Sequence, residues 1–217
     1  MTAVADLTLC IDEDWMSPWV FHALVALEEK RLPYDLEPVT FPLSPGRRAE
    51  LQRRAVIGKV PLLRHGALWI SESLAISEYL AEAFPFPAHP RLFPADLAER
   101  ARARQVLSFL RTDLFALRED RPTTTIFSEP VTAPLSPRGR IAADELLRVA
   151  DRLIGSRRTL FGEWCIADAD LALALMRLIK SGDPVPESLV AYADAQWQRP
   201  SVKAFVGSGK EMPSRVS

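Results

Sequence analysis

The chain has 217 residues, with 27 basic against 28 acidic side chains and hydrophobic and charged fractions of 48% and 25%. This length suits one sizeable core or two modest ones, and the composition is that of a packed globular protein rather than a disordered one. With no excess of positive charge, neither nucleic acid nor an anionic membrane surface is an expected partner, which leaves small-molecule chemistry.

Residues 7–11 form a short apolar run suited to a buried strand. After a polar gap, Ser17-Pro18 opens a helical pattern with Val20, Leu24 and Leu27 on one face. Pro33 stops that helix, residues 34–38 read as a second strand, and the Pro- and Arg-rich stretch 42–54 reads as loop with weak helix. Residues 60–63 supply a third strand, His65-Gly66 a turn and residues 67–70 a fourth strand, making a hairpin. From Ser73 to about Phe84, the spacing of Ile76, Tyr79, Leu80 and Ala83 predicts a helix with one buried stripe. The order is βαβ followed by ββα.

Pro85, Pro87, Pro90 and Pro94 then interrupt any periodicity and form a stiff connector. A boundary here divides the chain into domains at 1–86 and 93–217. Beyond it, Val106, Phe109, Leu110, Leu114 and Leu117 mark one amphipathic helix, and Ala142, Leu146, Val149, Ala150 and Leu153 mark another. Leu171, Leu175 and Leu178 define a third stripe, with shorter helices expected at 187–196 and 201–206. The second half is read as all-helical.

No apolar run approaches the ~20 residues that span a bilayer, and the N-terminus lacks the basic and apolar pattern of an export signal, so a cytoplasmic protein is expected. Cys10 and Cys165 lie far apart, which argues against a disulfide framework. His22, His65 and His89 are scattered without partners at metal-ligand spacing, so no metal is expected.

The segments Ser17-Pro18-Trp19-Val20, Lys59-Val60-Pro61-Leu62-Leu63, Glu72-Ser73-Leu74-Ala75-Ile76 and Phe161-Gly162-Glu163-Trp164-Cys165-Ile166-Ala167-Asp168 follow one another in this order. Together with the βαβ–ββα order and the proline-rich link, they resemble the cytosolic glutathione transferase family over nearly the whole chain. The stretches 111–127 and 195–202 resemble in particular the YfcF-type bacterial members. The resemblance implies a thioredoxin-like glutathione-binding domain followed by an all-helical domain contributing the electrophile pocket. It also implies glutathione as co-substrate, a small electrophile or peroxide as second substrate, and a homodimer.

By pattern alone, Ser17 is a helix N-cap whose hydroxyl accepts from the helix's own N–H groups. With the resemblance, the same hydroxyl donates to the glutathione thiolate, in a helix-terminal field that favours the anion. A neutral hydroxyl is no base for a thiol, so the implied mechanism is stabilisation of the anion. Glu72-Ser73 would hold the γ-glutamyl ammonium and carboxylate, and Val60-Pro61, cis by resemblance, the cysteinyl backbone. Lys59 either pairs with the glycyl carboxylate or is simply solvated. Trp15 and Trp19 flank the serine and suit the lining of a hydrophobic second-substrate pocket, while Trp19 equally suits core packing for the first helix.

Asp168 reads as structural support for a capping box weakened by Cys165 in the place of a hydroxyl residue. Cys10 reads as buried and inert, and Arg100, Arg102 and Arg104 as a solvated helix edge. Two other functions fit the fold: a non-catalytic binding module, and a cysteine-based thiol transferase or dehydroascorbate reductase. Serine at position 17 argues against the latter, and an intact Glu72-Ser73 and Val60-Pro61 against the former.

Overall fold

The structure, a computed structural model, describes residues 6–211. Packing divides the chain into two compact units: one runs through Leu92 and takes in the chain from Ala204 onward, and the other is Phe93–Lys203.

In the first unit, strands β1 (Leu7–Asp12), β2 (Asp35–Val39), β3 (Leu62–His65) and β4 (Leu68–Ser71) form one sheet in the order β2-β1-β3-β4. β1 runs parallel to β2 and antiparallel to β3, and β3 pairs antiparallel with β4. Helix α1 (Pro18–Glu29) connects the parallel pair, α2 (Pro45–Arg54) follows β2, and α3 (Ser73–Ala83) follows β4. This is a thioredoxin-like domain with a mixed four-stranded sheet, as the βαβ–ββα order predicts. Every residue of β1 is buried, as a central strand covered on both faces should be. One face of the sheet carries Cys10, Val39 and Leu62, packed against Leu51 and Ala55 at α2. α1 packs on α3, where buried His22 and Ser77 meet.

Two expectations need correction here. The 42–54 stretch is a regular helix rather than loop over its last ten residues: Ser44 accepts the Arg47 N–H at 3.2 Å and Pro45 takes the first helical position. Its missing signal is apolar, since Leu51 is the one residue the helix buries. The hairpin turn lies at Gly66-Ala67, one residue later than His65-Gly66, because His65 still pairs with Leu68 in the ladder. Gly66 has φ +58, a left-handed value that glycine adopts without penalty.

The second unit is helical: α4 (Leu97–Thr112), α5 (Phe115–Asp120), α6 (Thr124–Phe127), α7 (Pro137–Ile154), α8 (Ile166–Ser181) and α9 (Glu187–Trp197), with α10 (Pro200–Glu211) closing the described chain. Helix α8 is buried over most of its length and is packed by α4, α6, α7 and α9. The single helix expected through Val106 and Leu117 is in fact broken at Asp113-Leu114. Arg118 explains the break, because its Nη1 and Nη2 donate to Leu110 O and Arg111 O, each at 2.9 Å, satisfying carbonyls at the end of α4. Arg121, 1% exposed, makes a two-pronged contact with Asp183 at 2.7 and 2.9 Å.

Candidate functional site

The sheet register determines which loops share one end. Cys10 lies opposite Leu62, and Leu62 lies opposite Ser71. This rung therefore joins the C-terminal end of β1, the start of β3 and the C-terminal end of β4, spanning about 10 Å across three strands. Three segments leave the sheet here: the turn into α1 with Ser17, the Lys59-Val60-Pro61 approach to β3, and Glu72-Ser73 opening α3. Residues separated by some fifty positions in sequence are thus gathered at a single edge.

Ser17 is the N-cap of α1, with extended backbone at φ -77 and ψ 119. Its Oγ accepts the Val20 N–H at 3.3 Å, and its carbonyl accepts the Phe21 N–H at 3.0 Å. Accepting uses a lone pair of the hydroxyl and leaves its proton for a ligand. Pro18 occupies the first helical position, where the lack of an N–H costs nothing. Ser17 is half-buried.

The turn ahead of Ser17 is organised by Asp12, which ends β1. Asp12 Oδ2 accepts the N–H groups of Met16 at 2.5 Å and Ser17 at 3.0 Å, and Asp12 O accepts that of Trp15 at 3.2 Å. Burial pushes the Asp12 carboxyl above its ordinary range, against the opposing pull of the Met16 and Ser17 N–H groups. Trp15, at φ 55, adopts the left-handed conformation and turns its ring edge-on to Phe205 at 5.3 Å. Trp15 is buried and Trp19 half-buried.

The Val60–Pro61 peptide is cis, the conformation the resemblance implies. Pro61 is buried, Val60 packs partly against the cluster around Cys10, and Lys59 is exposed. Glu72 is exposed and sits at φ 73 and ψ 117, a region that residues other than glycine rarely enter. Its side chain makes no capping bond, while its carbonyl accepts the Ile76 N–H at 3.0 Å. Ser73, the first residue of α3, is 3% exposed.

Sequence reasoning passed over Asp12. Its signal was an acidic residue closing a buried strand a few positions before a Ser-Pro helix start. Cys10 is fully buried, and burial pushes its thiol up to about 12, consistent with an inert residue. Among the described residues, no group of three or more His, Cys, Asp or Glu is placed to hold a metal, and no helix is long and apolar enough to cross a membrane.

Two family models match the chain: the glutathione S-transferase N-terminal domain over residues 16–83 and the glutathione S-transferase C-terminal domain over 96–210. The chain belongs to the glutathione S-transferase family. It is similar to a solved glutathione transferase homologue from Burkholderia with bound glutathione, 36% identical, covering 95% of this chain and 100% of that one at a TM-score of 0.79. A glutathione S-transferase from Rhodospirillum rubrum is 25% identical, covering 97% and 94% of the two chains at 0.73. Glutathione S-transferase U13 of Arabidopsis thaliana is 35% identical over 102 residues, 47% of this chain and 44% of that protein. A probable maleylacetoacetate isomerase of Vibrio cholerae is 32% identical over 102 residues, 46% of each. The match thus spans about half the length of these curated relatives.

In this glutathione S-transferase family member, the helical unit holds a second buried carboxylate, Asp168, which is fully occupied. Its Oδ2 accepts the Cys165 N–H at 2.9 Å, and its Oδ1 accepts the Leu160 N–H at 2.8 Å and the Tyr192 hydroxyl at 2.7 Å. The carboxylate arm of the capping box is therefore closed although Cys165 replaces a hydroxyl residue. With every oxygen engaged and 0% exposure, Asp168 is a structural group.

Proposed function

We propose that this protein is a glutathione transferase that binds glutathione at the sheet end described above and presents its sulfur to Ser17 as the thiolate. The observation that carries the reading is the Ser17 hydroxyl at the N-terminus of α1, half-buried and with its proton left to donate. A free thiol has a pKa near 8.5 and is mostly protonated at neutral pH, and each unit of depression represents about 1.4 kcal/mol of preferential anion stabilisation. A hydroxyl donor in the positive field of a helix start supplies such a preference without abstracting the proton. The similarity to the Burkholderia homologue solved with bound glutathione, extending over nearly all of both chains, supports the choice of ligand.

In this reading Glu72 accepts from the γ-glutamyl ammonium, while Ser73 and the first N–H groups of α3 hold its carboxylate. The unusual backbone of Glu72 supports the role, since strained conformations concentrate where a side chain must be aimed. The Val60 backbone, next to Pro61, pairs with the cysteinyl backbone, and Lys59 meets the glycyl carboxylate. We assign the choice of second substrate, a small electrophile or a peroxide, to the helical unit, and the active form to a homodimer.

The deciding experiment is the ultraviolet thiolate absorbance of bound glutathione as pH is varied, for the unmodified protein and Ser17→Ala. The reading requires a depressed thiol pKa that returns toward its free value in the variant. Glutathione bound with an unshifted thiol would leave a binding module.

A further inference from the structure

Trp15, in the turn that leads into Ser17, has a left-handed backbone at φ 55, which a bulky residue keeps only where its surroundings hold it. Part of the hold comes from Asp12, whose O accepts the Trp15 N–H at 3.2 Å and whose Oδ2 accepts the Met16 and Ser17 N–H groups at 2.5 and 3.0 Å. The other part is aromatic. The Phe205 ring meets the Trp15 ring edge-on with centroids 5.3 Å apart, and meets the Phe21 ring edge-on at 5.5 Å. Phe21 is the residue whose N–H donates to Ser17 O at 3.0 Å. One ring thus touches both a residue just ahead of Ser17 and the residue that Ser17 bonds in the first turn of α1. Phe205 follows the helical bundle in sequence, yet packing groups the chain from Ala204 onward with the first unit, where Phe205 is 1% and Trp15 8% exposed.

We propose that Phe205 is a positioning residue for Ser17: set between Trp15 and Phe21, its ring keeps the turn in the left-handed conformation that fixes where the Ser17 hydroxyl stands. This rests on the function proposed above. The bonds to Asp12 tie down backbone N–H groups, whereas the ring contacts tie down the Trp15 side chain and the start of α1. Without the Phe205 ring, Trp15 gains by relaxing toward a right-handed backbone, and that rotation is carried through Met16 into Ser17. A displacement of about 1 Å at a reacting group is enough to cost up to about a hundredfold in rate. In the reading above, the peptide of glutathione is held by Val60 and by Glu72-Ser73, outside this turn. Loosening the turn therefore weakens the stabilisation of the thiolate and spares the binding of the peptide.

The test separates those two quantities. Thiolate absorbance against pH gives the thiol pKa of bound glutathione, and the affinity for S-methylglutathione, which has no thiol proton, reports the peptide alone. Phe205→Leu and Trp15→Leu are each expected to raise the bound thiol pKa by about one unit, which is about tenfold less thiolate at a pH below it. Affinity for S-methylglutathione should stay within about twofold, a difference of less than one pKa unit in energy. Trp15→Gly removes more packing than Trp15→Leu, but glycine enters the left-handed region without penalty, so its thiol pKa should rise less. A loss of packing alone predicts the reverse order. A thiol pKa unchanged in both leucine variants, a parallel loss of S-methylglutathione affinity, or a larger rise in Trp15→Gly than in Trp15→Leu overturns the role of Phe205 and leaves that of Ser17 intact. An undepressed thiol pKa in the unmodified protein overturns the reading of Ser17 itself, and this inference with it. If Phe205→Leu does not fold, the two Trp15 variants still decide the question.

Discussion

His22 Nε2 lies 3.0 Å from Ser77 Oγ, joining α1 to α3 through two residues that are both fully buried. The Ser77 hydroxyl gives its single proton to Leu74 O at 2.9 Å, so it accepts from His22, whose Nε2 must carry the hydrogen. This directed contact fixes how α3, with Glu72-Ser73 at its start, is seated against the helix that begins at Ser17.

Ser77→Ala removes the acceptor and leaves a buried ring N–H without it, at a cost of about 1–3 kcal/mol. The expected result is a lower urea midpoint with an unchanged slope. Combined with His22→Ala, the loss should be smaller than the sum of the two single losses, since one contact is being removed twice. Strict additivity would show that the pair does not interact energetically.

The function proposed for Ser17 adds a chemical role to its structural one as the N-cap of α1, and the two are separable. Ser17→Ala loses the N-cap bond to Val20 and should cost about 1 kcal/mol of stability. It should also remove the depression of the glutathione thiol pKa. Ser17→Gly costs only a few tenths of a kcal/mol as a cap yet lacks the hydroxyl equally. Equal chemical loss in the two variants, with unequal stability loss, would locate the effect in the hydroxyl. Conjugation rates that track stability instead would sink the proposed role.

Much of this arrangement was readable in advance. Periodicity and proline placement located all four strands, α1, α3 and the helical half, because each carries either a buried stripe or a breaker. α2 was weak for the converse reason: it is a polar, arginine-rich helix whose evidence lies in its Ser44-Pro45 cap. The break between α4 and α5 was hidden because Leu114 and Leu117 continue the apolar spacing, and only the folded-back Arg118 reveals which carbonyls it caps. At the site, Ser17 and Glu72-Ser73 stood out by motif. The left-handed backbone of Glu72 did not, since nothing about glutamate favours that conformation. Asp12 was missed because its bonds to the Met16 and Ser17 N–H groups depend on how the turn folds back, which spacing does not encode.

The Cys10 thiol should give the protein a distinctive alkaline limit. Its pKa is pushed up from 9.0 to about 12, foremost by burial and then by Glu37. Below its ordinary value the thiol is protonated in both folded and unfolded chains and stability is unaffected. Above it the unfolded thiol ionises while the folded one does not, so stability falls as pH rises from 9.0 toward about 12. The slope from this group is about 1.4 kcal/mol per pH unit. Urea unfolding at pH 8 and pH 10.5 checks it: Cys10→Ala should lose less stability between the two than the unmodified protein. Equal losses would mean that the folded thiol ionises normally, and rapid alkylation of native Cys10 at pH 8 would say the same.

Asp168 should prove the most costly single carboxylate to remove from the helical unit. Its two oxygens satisfy the buried Cys165 and Leu160 N–H groups and the Tyr192 hydroxyl, so Asp168→Ala abandons three donors at once where water has no ready access. Stranding one such donor costs about 1–3 kcal/mol, and partial relaxation should bring the total to about 3–5 kcal/mol. Asp168→Asn is not a rescue, because its amide group would face donors where an acceptor is needed. Tyr192→Phe removes one donor and leaves Oδ1 bonded to Leu160, so about 1 kcal/mol is expected. Chemical denaturation of the three variants gives the ordering directly. An Asp168→Ala loss no larger than that of Tyr192→Phe would show that the Cys165 and Leu160 N–H groups find other acceptors, and that the start of α8 does not depend on this carboxylate.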